Sequence, residues 1–297
     1  MRSLPRLLIA AIALGGCSSS NSAPHGSPVL QGVYWIVGGQ GTQVWSSSQP
    51  DGGLGVTAPP AGQEVDFVFD RRLDGSKIED TVTQNGMATE VPVPSPPITV
   101  SFASGADSTP PFTDQVLYNS VPFYGGSTAF VFLRPAITGF PSSDTVVFTL
   151  NKTALTSAYN EPMLGPDQIA VATGPLTATV RVPVATDAGS VVPASFMVPI
   201  VFSTRVSAAT VASFIHASSG GNAIPVTVAA DATDPTVVYA TAACANGWPT
   251  AAPVTVSVDA QASDAFGGLL QAPATGSFTA VGAAPSGDGG CGAVSSP

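Results

Sequence analysis

The residues able to do chemistry in this chain are few, and they do not converge. Nucleophilic catalysis needs a base beside the nucleophile. Beyond the N-terminal segment the sequence holds one histidine, His216, within Val-Ala-Ser-Phe-Ile-His-Ala-Ser at 211–218. The pattern places it at the surface or half-buried, in a loop after Val211. Serines are plentiful, yet no G-x-S-x-G elbow occurs, and Gly125-Gly126-Ser127 reads as a turn. Metal-assisted hydrolysis needs clustered His, Asp and Glu, and there is no H-E-x-x-H. The densest carboxylates are Asp66, Asp70, Asp74, Glu79 and Asp80. Asp70 and Asp74 flank a turn and offer oxygens of the kind that hold Ca²⁺. The alternative is a solvated turn bridged to Arg71, Arg72 and Lys77, and both readings stay open. A paired-carboxylate glycosidase centre is not excluded by spacing alone. The glycine runs lack G-x-x-x-x-G-K and a following helix, so no phosphate cradle is predicted. The expectation is a protein that is not an enzyme and has no cofactor and no metal centre, with an extracytoplasmic hydrolase as the remote alternative.

Cysteine carries the remaining chemistry. Arg2 and Arg6 precede the apolar run Leu7-Leu8-Ile9-Ala10-Ala11-Ile12-Ala13, which ends in Leu14-Gly15-Gly16-Cys17. Basic residues, a short apolar stretch and small residues in that order are an export signal, and the run is too short to span a bilayer. Leu-Gly-Gly-Cys resembles the lipobox of bacterial lipoproteins. That resemblance implies cleavage before Cys17, lipid on its thiol and new amino terminus, and attachment to a membrane. By the same analogy, Ser18 in place of Asp points to the outer membrane of a Gram-negative host, with the chain facing the periplasm or the cell exterior. Cys244 and Cys291 are then an even pair in an oxidising compartment. A bridge between them would close a loop of roughly 48 residues, worth about 4 kcal/mol by chain entropy. Two free thiols are the alternative; two cysteines and one histidine are too few for zinc.

Aromatic side chains are the other candidates. Trp45 near the start, with Phe112, Tyr118 and Tyr124 further on, could form an exposed platform for an envelope glycan or a protein partner. The competing reading packs them in a core. Trp248, four residues after Cys244, reads as core.

These residues need elements to position them. The chain has 297 residues, 44 % hydrophobic but only 9 % charged, with 31 Gly and 28 Pro; about 25 % charged is usual. Short Val/Thr/Phe runs between Gly/Pro turns predict an all-β protein. A net charge of −10, more acidic once Arg2 and Arg6 leave, argues against nucleic acid, whose phosphates need Lys and Arg. In Val65-Asp66-Phe67-Val68-Phe69-Asp70, Val65, Phe67 and Phe69 share one face of a strand.

Internal echoes give the organisation. Phe69, Arg72, Leu73 and Ile78 recur as Phe202, Arg205, Val206 and Val211, at a shift of 133. Ser157-Ala158-Tyr159-Asn160 followed by Met163-Leu164 recurs as Asp264-Ala265-Phe266-Gly267 followed by Leu269-Leu270, at a shift of 107. Ala172-Thr173-Gly174-Pro175-Leu176-Thr177-Ala178 recurs as Ala274-Thr275-Gly276-Ser277-Phe278-Thr279-Ala280, at a shift of 102. Three echoes in one order predict two copies of a module. The first is the longer, its surplus expected around Ser104–Tyr124. The expected layout is a signal at 1–16, a lipidated cysteine and flexible tether at 17–28, modules at 29–181 and 182–282, and a Gly-rich tail at 283–297.

Val68-Phe69-Asp70 and Val201-Phe202-Ser203, with Asp264-Ala265-Phe266-Gly267-Gly268-Leu269, resemble the SbsA-type bacterial Ig-like domain. The likeness covers nearly all of the chain after the signal, as two copies. It implies two tandem Ig-like β-sandwiches on an envelope protein and carries no catalytic residues. A turn with Gly267 at positive φ is expected in the late block, with Phe266 plugging the sandwich end and Phe69 and Phe202 in the cores.

Overall fold

A computed structural model describes residues 25–49, 51–62, 64–84, 87–92, 96–106, 116–123, 126–133, 139–183, 191–244, 246–250 and 252–282, with 79–92 and 116–133 as backbone. The chain is all-β, and two compact units account for it. The first comprises residues up to Ile137 together with Asp144–Thr173; the second comprises Thr138–Ser143 together with Gly174 onward.

In the first unit the strands are β1 (Leu30–Val37), β2 (Gln40–Ser46), β3 (Glu64–Phe69), β4 (Glu79–Gln84), β5 (Met87–Pro92), β6 (Ile98–Phe102), β7 (Val116–Phe123), β8 (Gly126–Leu133), β9 (Thr145–Leu150) and β10 (Gln168–Ala172). One sheet runs β2-β1-β3-β8-β7 and the other β10-β9-β6. Alternation sets the inner face, because side chains of a strand point up and down in turn. Val65, Phe67 and Phe69 are buried, as are Val146, Phe148 and Leu150 opposite them. Phe148 meets Phe67 edge-on at 5.4 Å and Trp35 at 6.4 Å, so both sheets share one core. The hairpin β4–β5 has no counterpart in the second unit, where the chain passes from Val211 through one 3-10 turn into the next sheet. Part of the first module's surplus therefore lies there, not only in the expected 104–124 region.

The second unit has β11 (Ala178–Val180), β12 (Val191–Pro193), β13 (Val198–Phe202), a four-residue helix α1 (Ala208–Val211), β14 (Ile215–Ser219), β15 (Asn222–Ile224), β16 (Val226–Ala230), β17 (Val237–Ala242), β18 (Val254–Val258) and β19 (Ala274–Val281). Its sheets run β11-β13-β17-β16 and β12-β19-β18-β14-β15. Ile200, Phe202 and Val238 from one sheet and Val256, Phe278 and Ile215 from the other form one core. Trp248 closes it: 2 % exposed, the indole lies edge-on to Phe278 at 5.5 Å and donates to the Phe196 carbonyl at 2.6 Å.

Two sequence expectations shift here. The division between units falls before β11, not after it, because Ala178–Val180 pairs with Phe202, Val201 and Ile200 of β13. The third echo is also not a structural repeat. Ala172 ends β10 while Ala274 begins β19, so the matching letters occupy unlike positions.

The turn between β16 and β17 is held by one carboxylate. Asp231 Oδ1 accepts from the Thr233 and Asp234 amides at 2.8 and 2.9 Å, and Oδ2 accepts from the Tyr239 hydroxyl at 2.9 Å. These donors, the Thr233 amide first, hold the Asp231 carboxyl well below the usual carboxylate range, and the same contact raises the Tyr239 phenol. A depressed carboxyl stabilises the fold above its unfolded pKa of about 3.9 and loses that contribution as pH falls further. Exchange protection of the Thr233 and Asp234 amides, corrected for intrinsic rates, should persist at pH 5 and vanish in strong acid. Asp231→Ala should remove it at every pH.

Candidate functional site

The chain enters the first unit through a small polar cluster just after the candidate lipid-bearing segment. Its floor is the loop Ser157–Glu161, where Asn160 turns the backbone at φ 66. Its wall is the Asp70-Arg71 corner after β3. The Gly26 amide donates to Glu161 Oε2 at 2.8 Å, and Arg71 Nη1 donates to the His25 carbonyl at 2.7 Å. The His25 ring stacks on Tyr159 with centroids 3.7 Å apart. Asp70 grips both sides. Its Oδ1 accepts from the Val29 amide at 2.8 Å, its own amide donates to the Val29 carbonyl at 3.0 Å, and it receives Arg71 Nε and Nη2 at 3.1 and 2.8 Å. The Leu164 amide donates to the Pro28 carbonyl at 2.7 Å.

Charge in this cluster follows from those bonds. The Ser157 hydroxyl, the Gly26 amide and the nearby His25 and Arg71 lower the Glu161 carboxyl. Bonding to Asp70 raises the Arg71 guanidinium. Gly26 sits at φ +118, and a Cβ there would stand 2.4 Å from Arg71 Nη1; only glycine lets the backbone come this close without displacing the guanidinium.

The second unit repeats the seat with different residues. The Ser142 amide and hydroxyl donate to Asp264 Oδ2 at 2.9 and 2.6 Å. The Phe266 and Gly268 amides each donate to Asp264 Oδ1 at 2.8 Å. Thr204 Oγ1 donates to the Phe140 carbonyl at 2.8 Å. The Thr177 amide donates to Ser203 Oγ at 2.9 Å, as the Val29 amide does to Asp70. A segment arriving from outside the sandwich thus gives an amide to a carboxylate and a carbonyl to a side-chain donor in both units. The carboxylate comes from Glu161 in one and Asp264 in the other. Gly268 stands where Glu161 does in the repeat, and a Cβ there would lie 2.1 Å from Ser142 Oγ.

The residues singled out by sequence fare unevenly. Cys17, Cys291, Phe112 and Tyr124 lie outside the described residues. Tyr118 is on β7, opposite Val131 of β8. Trp45 is 7 % exposed, and its indole lies against Gly52, whose Cβ would come 1.8 Å from Nε1. That corrects its placement on a binding platform: Trp45 is packed inside. Cys244 is half-buried against the second core.

His216 is on strand β14, not in a loop; it faces outward and meets Asp259 Oδ2 at 3.1 Å, with both side chains about half exposed. No nucleophile is hydrogen-bonded to it among the described residues. The Asp70 carboxylate is taken up by Val29 and Arg71, and Asp74 caps the 3-10 turn at Gly75–Lys77 through Ser76. Lys77 Nζ donates to Thr156 Oγ1 at 3.0 Å and to Asn160 Oδ1. Phe266 is half-exposed, with Arg205 over its ring at 5.5 Å, and does not plug the sandwich end. Gly267 has φ 96, as its turn demanded.

Among the described residues no helix is long and apolar enough to cross a membrane. Sequence reading missed the entry clusters. The one available signal was the pair Asp70 and Ser203 at matching places after β3 and β13, since a short acceptor there can hold the amide of an entering strand.

No protein-family model matches the chain, and no curated protein matches it. Among solved structures it is similar to the mouse nectin-like molecule 4 full ectodomain (Ig1–Ig3), at 11 % identity and a TM-score of 0.20. That match covers 79 % of this chain and 64 % of the ectodomain, so the chain spans less than two thirds of that protein's length.

Proposed function

We propose that this is a non-catalytic, lipid-anchored cell-envelope protein whose two Ig-like sandwiches act as a spacer or adhesion module. The observation that carries the reading is Leu14-Gly15-Gly16-Cys17 followed, only eight residues on, by His25, whose ring stacks on Tyr159 and whose carbonyl accepts from Arg71. Eight residues reach at most about 28 Å when fully extended. A lipid on Cys17 would therefore hold the first unit close to a membrane surface, and Ser18 favours an outer membrane where the host has one. An envelope glycan or another surface protein is the partner class such a module would meet.

In the native host, Cys17→Ala should abolish incorporation of labelled palmitate and move the protein from the membrane to the soluble fraction. Labelling that survives the substitution would remove the anchor.

The Cys244–Cys291 disulfide belongs to the same proposal. Its support is geometric. The β19 end at Val281 receives the Ala194 amide at 3.1 Å, and the Trp248 amide donates to the Ala194 carbonyl at 2.8 Å. The chain therefore leaves β19 beside the loop that carries Cys244. Peptide mapping of exported protein without reduction should recover the two cysteines linked, and recovery of both in separate, alkylated peptides would refute the bridge.

A further inference from the structure

The segment entering the first unit is held in a way that β1 is not. From Leu30 the backbone is laddered to β3, and from Gly32 to β2 as well. At His25 and Gly26 the holding groups are side chains instead: Glu161, Arg71 and the face of Tyr159. Side-chain bonds near the surface are individually weak and can be lost without disturbing a ladder. Arg71 and Glu161 each have other partners in the loop they stabilise, Asp70 and Ser157, so the seat persists when the segment leaves it. The pattern is not a local accident, because the second unit builds a like seat and fills it with Phe140 and Ser142.

We infer that His25–Ser27 is a releasable clamp, seated on Arg71, Tyr159 and Glu161, that fixes where the N-terminal segment leaves the first sandwich; Pro28 beyond it is held by the backbone amide of Leu164. Open, it frees up to three residues, about 10 Å of extended chain, while the sandwich from β1 onward stays folded. Its meaning for the distance to a membrane rests on the lipid-anchor reading; the clamp itself does not.

The test uses the two histidines of the chain in the full-length protein carrying Cys17→Ala, so that lipid plays no part. A ring stacked on Tyr159 has its side-chain proton resonances shifted upfield, whereas His216 faces outward beside Asp259 and serves as an internal reference. The His25 resonances should be displaced from the random-coil position in the parent. They should return to it in Glu161→Ala and in Gly26→Val, with the His216 signals and the dispersion of the β-sheet amides unchanged. Gly26→Val leaves every residue of the seat in place, so it decides the matter should Glu161→Ala disturb the loop. Random-coil His25 signals in the parent, or displaced signals that survive Gly26→Val, would overturn the clamp. Failure of Cys17→Ala to release the protein from membranes would overturn the anchor and leave the clamp standing.

Discussion

Asp264→Ala should cost the second unit about 3–4 kcal/mol, among the larger effects a single substitution produces. Asp264 is 3 % exposed and receives four donors: the Ser142 amide and hydroxyl and the Phe266 and Gly268 amides. Alanine removes every acceptor at once. No water can reach the Ser142 amide cheaply, and a buried donor left unmet costs about 1–3 kcal/mol. Asp264→Asn keeps one oxygen but turns an NH₂ toward the Ser142 amide, so it should cost about half as much. Ser142→Ala, which deletes one hydroxyl bond, should cost about 1 kcal/mol. Trp248 lies in this core and Trp35 and Trp45 in the other unit, so denaturation followed by fluorescence of a chain retaining only Trp248 reads the second unit alone. An Asp264→Ala curve that overlays the Ser142→Ala curve would show that the carboxylate does not organise this loop.

The second large effect concerns where the second unit begins. Phe140 is fully buried, Ser142 is 4 % exposed, and both belong to the second unit although they precede β9 in the chain. Phe140→Ala should cost about 3–5 kcal/mol, as expected for deleting a buried aromatic ring. A fragment starting at Gly174 lacks Phe140, the carbonyl bonded by Thr204 and both Ser142 donors. It should unfold without cooperativity, or at far lower denaturant than the same unit within the whole chain. Cooperative unfolding of that fragment at the whole-chain midpoint would mean that residues 139–143 contribute nothing to its stability.

These expectations show what sequence could and could not deliver. The inner face of β3 was legible because alternation is local: Val65, Phe67 and Phe69 announce their own burial. The repeat was legible through the first two echoes, because they mark turns with special requirements. Asn160 and Gly267 both need positive φ, and Ser157 and Asp264 both accept the amide two residues on. The third echo misled because Ala, Thr and Gly recur throughout a chain with so few charges, so a run of them says little about register. Residues 139–143 could not be read at all. Gly-Phe-Pro-Ser looks like a surface loop, and its burial depends on a carboxylate 122 residues away. A separation of 135 residues between Gly26 and Glu161 hid the seat formed by Arg71 and Glu161, while Trp45 was misjudged because its burial depends on Gly52 bending back over the indole.

The trade between Glu161 and Asp264 ties each carboxylate to the residue opposite it. A short Ser157 with Glu161, or a longer Asp264 with Gly268, delivers a carboxylate to the same point. Neither half of either pair can change alone. Aspartate opposite glutamate would crowd two like charges into one seat, and serine opposite glycine would leave the entering amide without an acceptor. The two positions are therefore coupled within each unit, and an exchange at one alone leaves the incoming strand held poorly.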